Sequence, residues 1–123
     1  MEDVFQVSDY SGILVTLSRQ VWQDKILSPG PGGHPEVADY LDEIQKAIVE
    51  PNVAFESTHR QDVHLLYRLG VGVGRYEGLH LVVVVKCVQE AQGVRGYVST
   101  VYLTHKLYSR GRILWTRPNF LIT

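Results

Sequence analysis

Five aliphatic residues in a row, Leu81-Val82-Val83-Val84-Val85, stop at Lys86, and a short glycine-containing connection leads into Gly96-Tyr97-Val98-Ser99-Thr100-Val101-Tyr102-Leu103-Thr104. β-branched and aromatic residues at this density favour extended backbone, so the two segments read as paired strands. Side chains alternate along a strand, which puts Leu81, Val83 and Val85 on one face and His80, Val82, Val84 and Lys86 on the other. The first set is assigned to the core, because a lysine is rarely buried without a partner. On the second strand Thr100 and Tyr102 share a face. Lysine, threonine and tyrosine together can hold a phosphate; the same residues also make an ordinary sheet surface.

Upstream, Phe5 to Val7 and Ile13 to Leu17 flank Asp9-Tyr10-Ser11-Gly12 and suit a small hairpin. Ser18 is a good N-cap for a short helix reaching about Leu27, with Val21, Trp22 and Ile26 on one side. Ser28-Pro29-Gly30-Pro31-Gly32-Gly33 ends it as a loop within the domain. A second helix is expected from His34 as N-cap and Pro35 as first helical residue, where proline's missing N–H is harmless. Val37, Tyr40, Leu41, Ile44, Ala47 and Ile48 then fall on one stripe, with Asp39, Asp42, Glu43 and Lys46 opposite, and Pro51 closes the segment. Strand patterns follow at Val53–Thr58, Val63–Leu69, Leu79–Val88, Gly96–Thr104 and Arg112–Thr116. Helices first and strands after imply an α+β fold: N-terminal helices packed on a four- to five-stranded antiparallel sheet.

The 123 residues fit a single domain, 1–123, with no internal repeat, low-complexity tract or convincing linker. A hydrophobic share of 45% against 20% charged favours a packed core over disorder. A formal net charge of −1 leaves no global basic field to draw in nucleic acid, so any phosphate binding is local. The apolar run is far too short to cross a bilayer, the start MEDVFQVSDY does not resemble a signal peptide, and Cys87 alone permits no internal disulfide. These features imply a cytoplasmic protein without a membrane partner.

Gly70-Val71-Gly72-Val73-Gly74 does not match a phosphate-binding glycine motif and no helix follows it, so it reads as a hairpin connection. The histidines, at 34, 59, 64, 80 and 105, show no metal-ligand spacing, and no metal or cofactor is expected. His34 stands apart from the others. A helix N-terminus favours the neutral imidazole, able to accept a proton, and its free amides attract anions. Arg60, Arg68 and Lys86 lie near strand ends, where cations either discourage edge pairing or offset charge on a phosphoryl group. Trp22 and Trp115 suit core or core-rim packing.

Taken in order, the pieces are Trp22-x-x-Lys25-Ile26, His34-Pro35-Glu36, Tyr40-Leu41-x-x-Ile44, Ala47-Ile48-x-x-Pro51, Leu65-Leu66-Tyr67-Arg68, Leu81 to Lys86, Thr100-Val101-Tyr102 and Gly111-Arg112-Ile113-Leu114-Trp115. This ordered set resembles the phage and polymorphic-toxin branch of the barnase–EndoU–colicin–RelE-like (BECR) nuclease superfamily, over roughly residues 21–115. The resemblance implies helices on a four-stranded antiparallel sheet and a metal-independent endoribonuclease that cuts RNA, often tRNA. It also implies a toxin held in check by an antitoxin or immunity protein. His34, Thr100 and Tyr102 then become the catalytic candidates, and Arg60, Arg68 and Lys86 the substrate-binding cations. RNA cleavage by its own 2′-OH requires a base, an acid and donors for the phosphorane charge, and this set offers all three. The competing reading is a non-catalytic protein-binding domain on the same fold, in which those side chains point apart.

Overall fold

In the computed structural model, which describes residues 2–107 and 110–118, the strand-forming residues dominate the architecture. Seven strands form one sheet: β1 (Asp3–Ser8), β2 (Leu14–Ser18), β3 (Val53–Glu56), β4 (Val63–Arg68), β5 (His80–Glu90), β6 (Gly93–Thr104) and β7 (Ile113–Thr116). Their spatial order is β1-β2-β6-β5-β4-β3-β7. All neighbours are antiparallel except β2 and β6, which run parallel through Leu14–Arg95, Val15–Gly96 and Thr16–Tyr97. The long β5–β6 pair anticipated from sequence is the centre of this sheet, paired from His80–Thr104 to Glu90–Gly93 with one shift of register.

The expectation of N-terminal helices on a four- to five-stranded antiparallel sheet is overturned. The first segment after Ser18 is a six-residue π-helical turn, Val21–Ile26, closed by the Leu27 N–H on the Trp22 carbonyl at 2.9 Å. Ser18 Oγ accepts from the Val21 N–H at 3.1 Å, so the cap is real although the helix is not regular. The second helix is split. Pro35–Val37 forms one 3-10 turn, and the regular helix α1 covers only Leu41–Val49, with Tyr40 as its N-cap. Val37, Tyr40, Ile44, Ala47 and Ile48 are nevertheless all buried. A spacing of three between Val37 and Tyr40 is met equally by a 3-10 and an α turn, so the stripe specifies burial without specifying the backbone.

α1 and the π turn cover one sheet face. Leu81, Val83 and Val85 of β5 meet Val15, Leu17, Leu66, Val98 and Val101 from neighbouring strands, and Ile26, Val37, Ile44 and Ile48 from above. The face assignment of β5 is therefore as read from Lys86, which is exposed on the other side. Val98 and Val101 both point inward although they are three apart. Ser99 is an extra residue in β6, since Val84 faces Thr100 while Val85 faces Val98. Such a bulge resets the alternation.

The opposite face carries a second, smaller core of Val53, Phe55, Tyr67 and Val82, with Leu65, Val84, Tyr102 and Leu107 against it. Phe55 and Tyr67 meet edge to face at 5.9 Å and 87°. Leu107 belongs to the connection from β6 to β7. That connection leads from β6 to the far edge beyond β5, β4 and β3, and its residue Leu107 lies on this face. Each fully buried aliphatic side chain contributes about 1.5–3 kcal/mol, so both faces of β5 add to stability.

Candidate functional site

Thr100 and Tyr102 stand on the crossover face, opposite Val84 and Val82 respectively. Both are half-buried. Burial pushes the Tyr102 phenol above its ordinary value of 10.0, which keeps it protonated and a hydrogen-bond donor at neutral pH.

His34 reaches Tyr102 because the Pro/Gly loop doubles back. The Gly33 N–H bonds the Gly30 carbonyl at 3.1 Å, and the His34 N–H bonds the Ile26 carbonyl at the end of the π turn. The closure leaves no space for a side chain at residue 33, where a Cβ would lie 1.8 Å from the Ser28 carbonyl oxygen. The His34 and Tyr102 rings then pack with centroids 5.5 Å apart at 39°. His34 Nδ1 lies 3.3 Å from Glu36 Oε2. The contact is an ion pair when the imidazole is protonated. His34 thus begins a three-residue 3-10 turn, and the expected α-helix dipole is absent at this position. Glu36 is instead the charged group beside the ring.

Tyr102 is also a wall of a cleft of about 390 Å³ whose floor is Leu65 and Tyr67 and whose rim is Ser57, His59, Thr104 and Lys106. Sequence alone does not single out His59 or Lys106 for this cleft. They come from the β3–β4 turn and the crossover, and only the pairing of β3 with β4 and the path of the crossover bring them together. The cleft holds a phenol, two hydroxyls, an imidazole and an ammonium over an apolar floor. That set can grip an anion and donate to it.

The expected cations fare unequally. Lys86 is on the same face as Thr100, two residues beyond Val84 on β5, which is roughly 7 Å along the strand. Arg60 is exposed and clamped to Asp62 by two bonds of 2.9 and 2.7 Å, and this pairing holds the Asp62 carboxyl below its ordinary range. Arg68 is on the helix face, with Leu66, and its Nε meets Glu43 Oε2 of α1 at 3.3 Å while Nη1 donates to the Glu50 carbonyl. It is therefore separated by the sheet from Thr100 and Tyr102. A single residue of alternation decides this, since Tyr67 faces the cleft and Arg68 faces away.

The other histidines have local tasks. His80 Nδ1 accepts the Gly70 N–H at 2.9 Å and fixes the β4–β5 connection, which includes the Gly70–Gly74 stretch and a 3-10 turn at Gly74–Tyr76. His64 lies 3.6 Å from Cys87 Sγ on the helix face. Burial lowers the imidazole's pKa and raises the thiol's, so the contact joins two neutral groups. Among the described residues no three histidine, cysteine or acidic side chains cluster to hold a metal ion, and no helix is long and apolar enough to cross a membrane. No protein-family model, curated protein or solved structure matches the chain.

Proposed function

We propose that the protein is a metal-independent endoribonuclease, with His34, Thr100 and Tyr102 at its reacting centre. The observation that carries this reading is the packing of the His34 ring, with Glu36 beside it, on Tyr102. Two residues far apart in sequence, each nominated for phosphate chemistry, lie in contact. His34 Nε2 takes the proton of a ribose 2′-OH, whose oxygen attacks the adjacent phosphorus. His34 and Thr100 lie outside the cleft that Tyr102 walls, and the leaving 5′-oxygen receives a proton from the Tyr102 phenol or from His59 across that cleft. The products are a 2′,3′-cyclic phosphate and a free 5′-hydroxyl. Thr100, Tyr102 and Lys106 offset the charge that builds on the non-bridging oxygens. The BECR resemblance supports the reading through the order of its residues, not through the sheet, whose seven-stranded mixed topology departs from that family's. In this reading the protein acts in the cytoplasm as a toxin-like or phage-derived nuclease on RNA such as tRNA, restrained by an antitoxin or immunity protein.

The test is cleavage of total RNA and of a defined oligonucleotide in excess EDTA by the wild type and by His34→Ala. Removing a general base costs about 10²–10⁴-fold. Cleavage by the wild type with a loss of that size in a folded His34→Ala protein supports the reading. Equal rates, or no cleavage by either, return the protein-binding alternative.

A further inference from the structure

A second cleft, of about 460 Å³, lies beside the first and shares Ser57 and His59 with it. Its walls bring Arg60 from the β3–β4 turn together with Arg110 and Arg112 from the crossover. Glu56 lines the same cleft and Asp62 holds Arg60, so three guanidinium charges stand against two carboxylates and the balance is locally positive. Two of the three guanidinium groups are held in place: Arg112 Nη2 meets Glu56 Oε2 at 2.8 Å, and Arg60 is forked onto Asp62. Each guanidinium has five donors, so a carboxylate partner orients it and leaves N–H groups for a further anion. The crossover is pressed to the sheet here. The Glu56 N–H bonds the Arg112 carbonyl at 2.8 Å, and a Cβ at Gly111 would sit 1.8 Å from the Glu56 carbonyl oxygen.

We infer that this arginine cleft is a phosphate-binding subsite for the strand that continues past the cleaved bond, and that it selects a single-stranded polynucleotide over a dinucleotide. Resting on the ribonuclease reading for its choice of ligand, the inference is carried by charge, by the planar forks suited to phosphate oxygens, and by continuity with the Tyr102 cleft through His59. Half-buried Leu65 and Tyr102 in the cleft next to it give an exposed base an apolar and an aromatic surface.

The test separates binding from cutting. A fluorescent single-stranded DNA oligonucleotide lacks the 2′-OH and cannot be cleaved by this route, so its anisotropy reports binding alone. The wild type is compared with Arg110→Gln, with the double variant Arg110→Gln/Arg112→Gln, and with the charge-retaining Arg110→Lys/Arg112→Lys, all checked for native circular dichroism. The expected result is a weaker Kd for the double glutamine variant and a salt dependence shallower by about 0.7 in log–log slope per lost phosphate contact, with the lysine pair closer to wild type. Cleavage of a dinucleotide is unchanged in the double variant while kcat/KM for an RNA octamer falls at least tenfold. Wild-type DNA binding without any RNA cleavage retains the subsite and removes the catalytic reading. Identical binding curves for wild type and double glutamine variant overturn the subsite, as does an acidic peptide that displaces the oligonucleotide at equal charge and equal affinity.

Discussion

Gly111→Ala is the sharpest structural perturbation available, because it strikes the point where the crossover meets the sheet. The new Cβ would lie 1.8 Å from the Glu56 carbonyl oxygen and 3.0 Å from its carbon. An ordinary carbon–oxygen contact is about 3.3 Å, so the backbone must retreat by roughly 1.5 Å. Both partners are backbone, and neither rotates out of the way. A retreat of that size takes the Glu56 N–H and Arg112 carbonyl, now 2.8 Å apart, beyond bonding distance. It also disturbs the irregular pairing of β7 with β3 at Ile113–Phe55. One lost and partly buried backbone bond costs about 1–3 kcal/mol, and the strained alternative is of similar size. A destabilisation of about 2–3 kcal/mol is expected. Gly30→Ala is the control, because the nearest atom to its Cβ, Ser28 Oγ, is 3.6 Å away and the backbone is outside the left-handed region. Substitution there is expected to be neutral or to stabilise by up to about 1 kcal/mol through the unfolded chain. Urea denaturation at a common m-value measures both. Gly111→Ala as stable as wild type would refute the packing of the crossover on β3, and with it the placement of Lys106, Arg110 and Arg112.

Tyr102→Phe keeps the ring against His34 and removes only the hydroxyl; cleavage is expected to fall about 100-fold while stability, read by thermal unfolding, stays within about 1 kcal/mol. Arg68→Ala is expected to do the reverse, lowering stability by about 1–2 kcal/mol through loss of the partly buried Glu43 pair and the Glu50 carbonyl bond, with the cleavage rate unchanged. His64 titrates lower folded than unfolded because of burial. Below its ordinary value of 6.5 the unfolded chain therefore binds more protons, and stability falls as pH drops through the window beneath 6.5 until the folded-state imidazole also protonates. Urea midpoints at about pH 7.5 and 5.5, on either side of that value, are expected to differ less in His64→Gln than in wild type, and an equal difference refutes the assignment.

The parts of the fold legible in the sequence are those set by local alternation. The inward face of Leu81, Val83 and Val85 is unambiguous only because Lys86 marks the solvent side, and the N-terminal hairpin is readable because Asp9 turns the chain. Asp9 Oδ1 accepts the Ser11 and Ile13 N–H groups at 2.8 and 2.9 Å. The sheet order is not legible. Nothing local in Leu14–Thr16 announces a parallel partner far along the chain in β6, and nothing in Ile113–Thr116 announces an edge beside β3. Tyr102 and His34 are legible as residues, but their contact depends on the loop closure at Gly33. His59 and Lys106 carry no signal, since each is an isolated polar residue in a connection until β3, β4 and the crossover bring them to one cleft. Arg68 fails for the opposite reason: its place at a strand end suggests a cleft cation, whereas the face it occupies decides its partners.

The chemistry of the cut ends tests the central claim most directly. A defined RNA is incubated with the protein in EDTA and its fragments are analysed by mass, alongside the same strand carrying a 2′-deoxy residue at the cleaved position. The geometry at His34 and Tyr102 predicts 2′,3′-cyclic phosphate and 5′-hydroxyl ends, and an intact deoxy strand. Fragments bearing 5′-phosphate ends, cleavage of the deoxy-substituted bond, or intact RNA in both cases would contradict it.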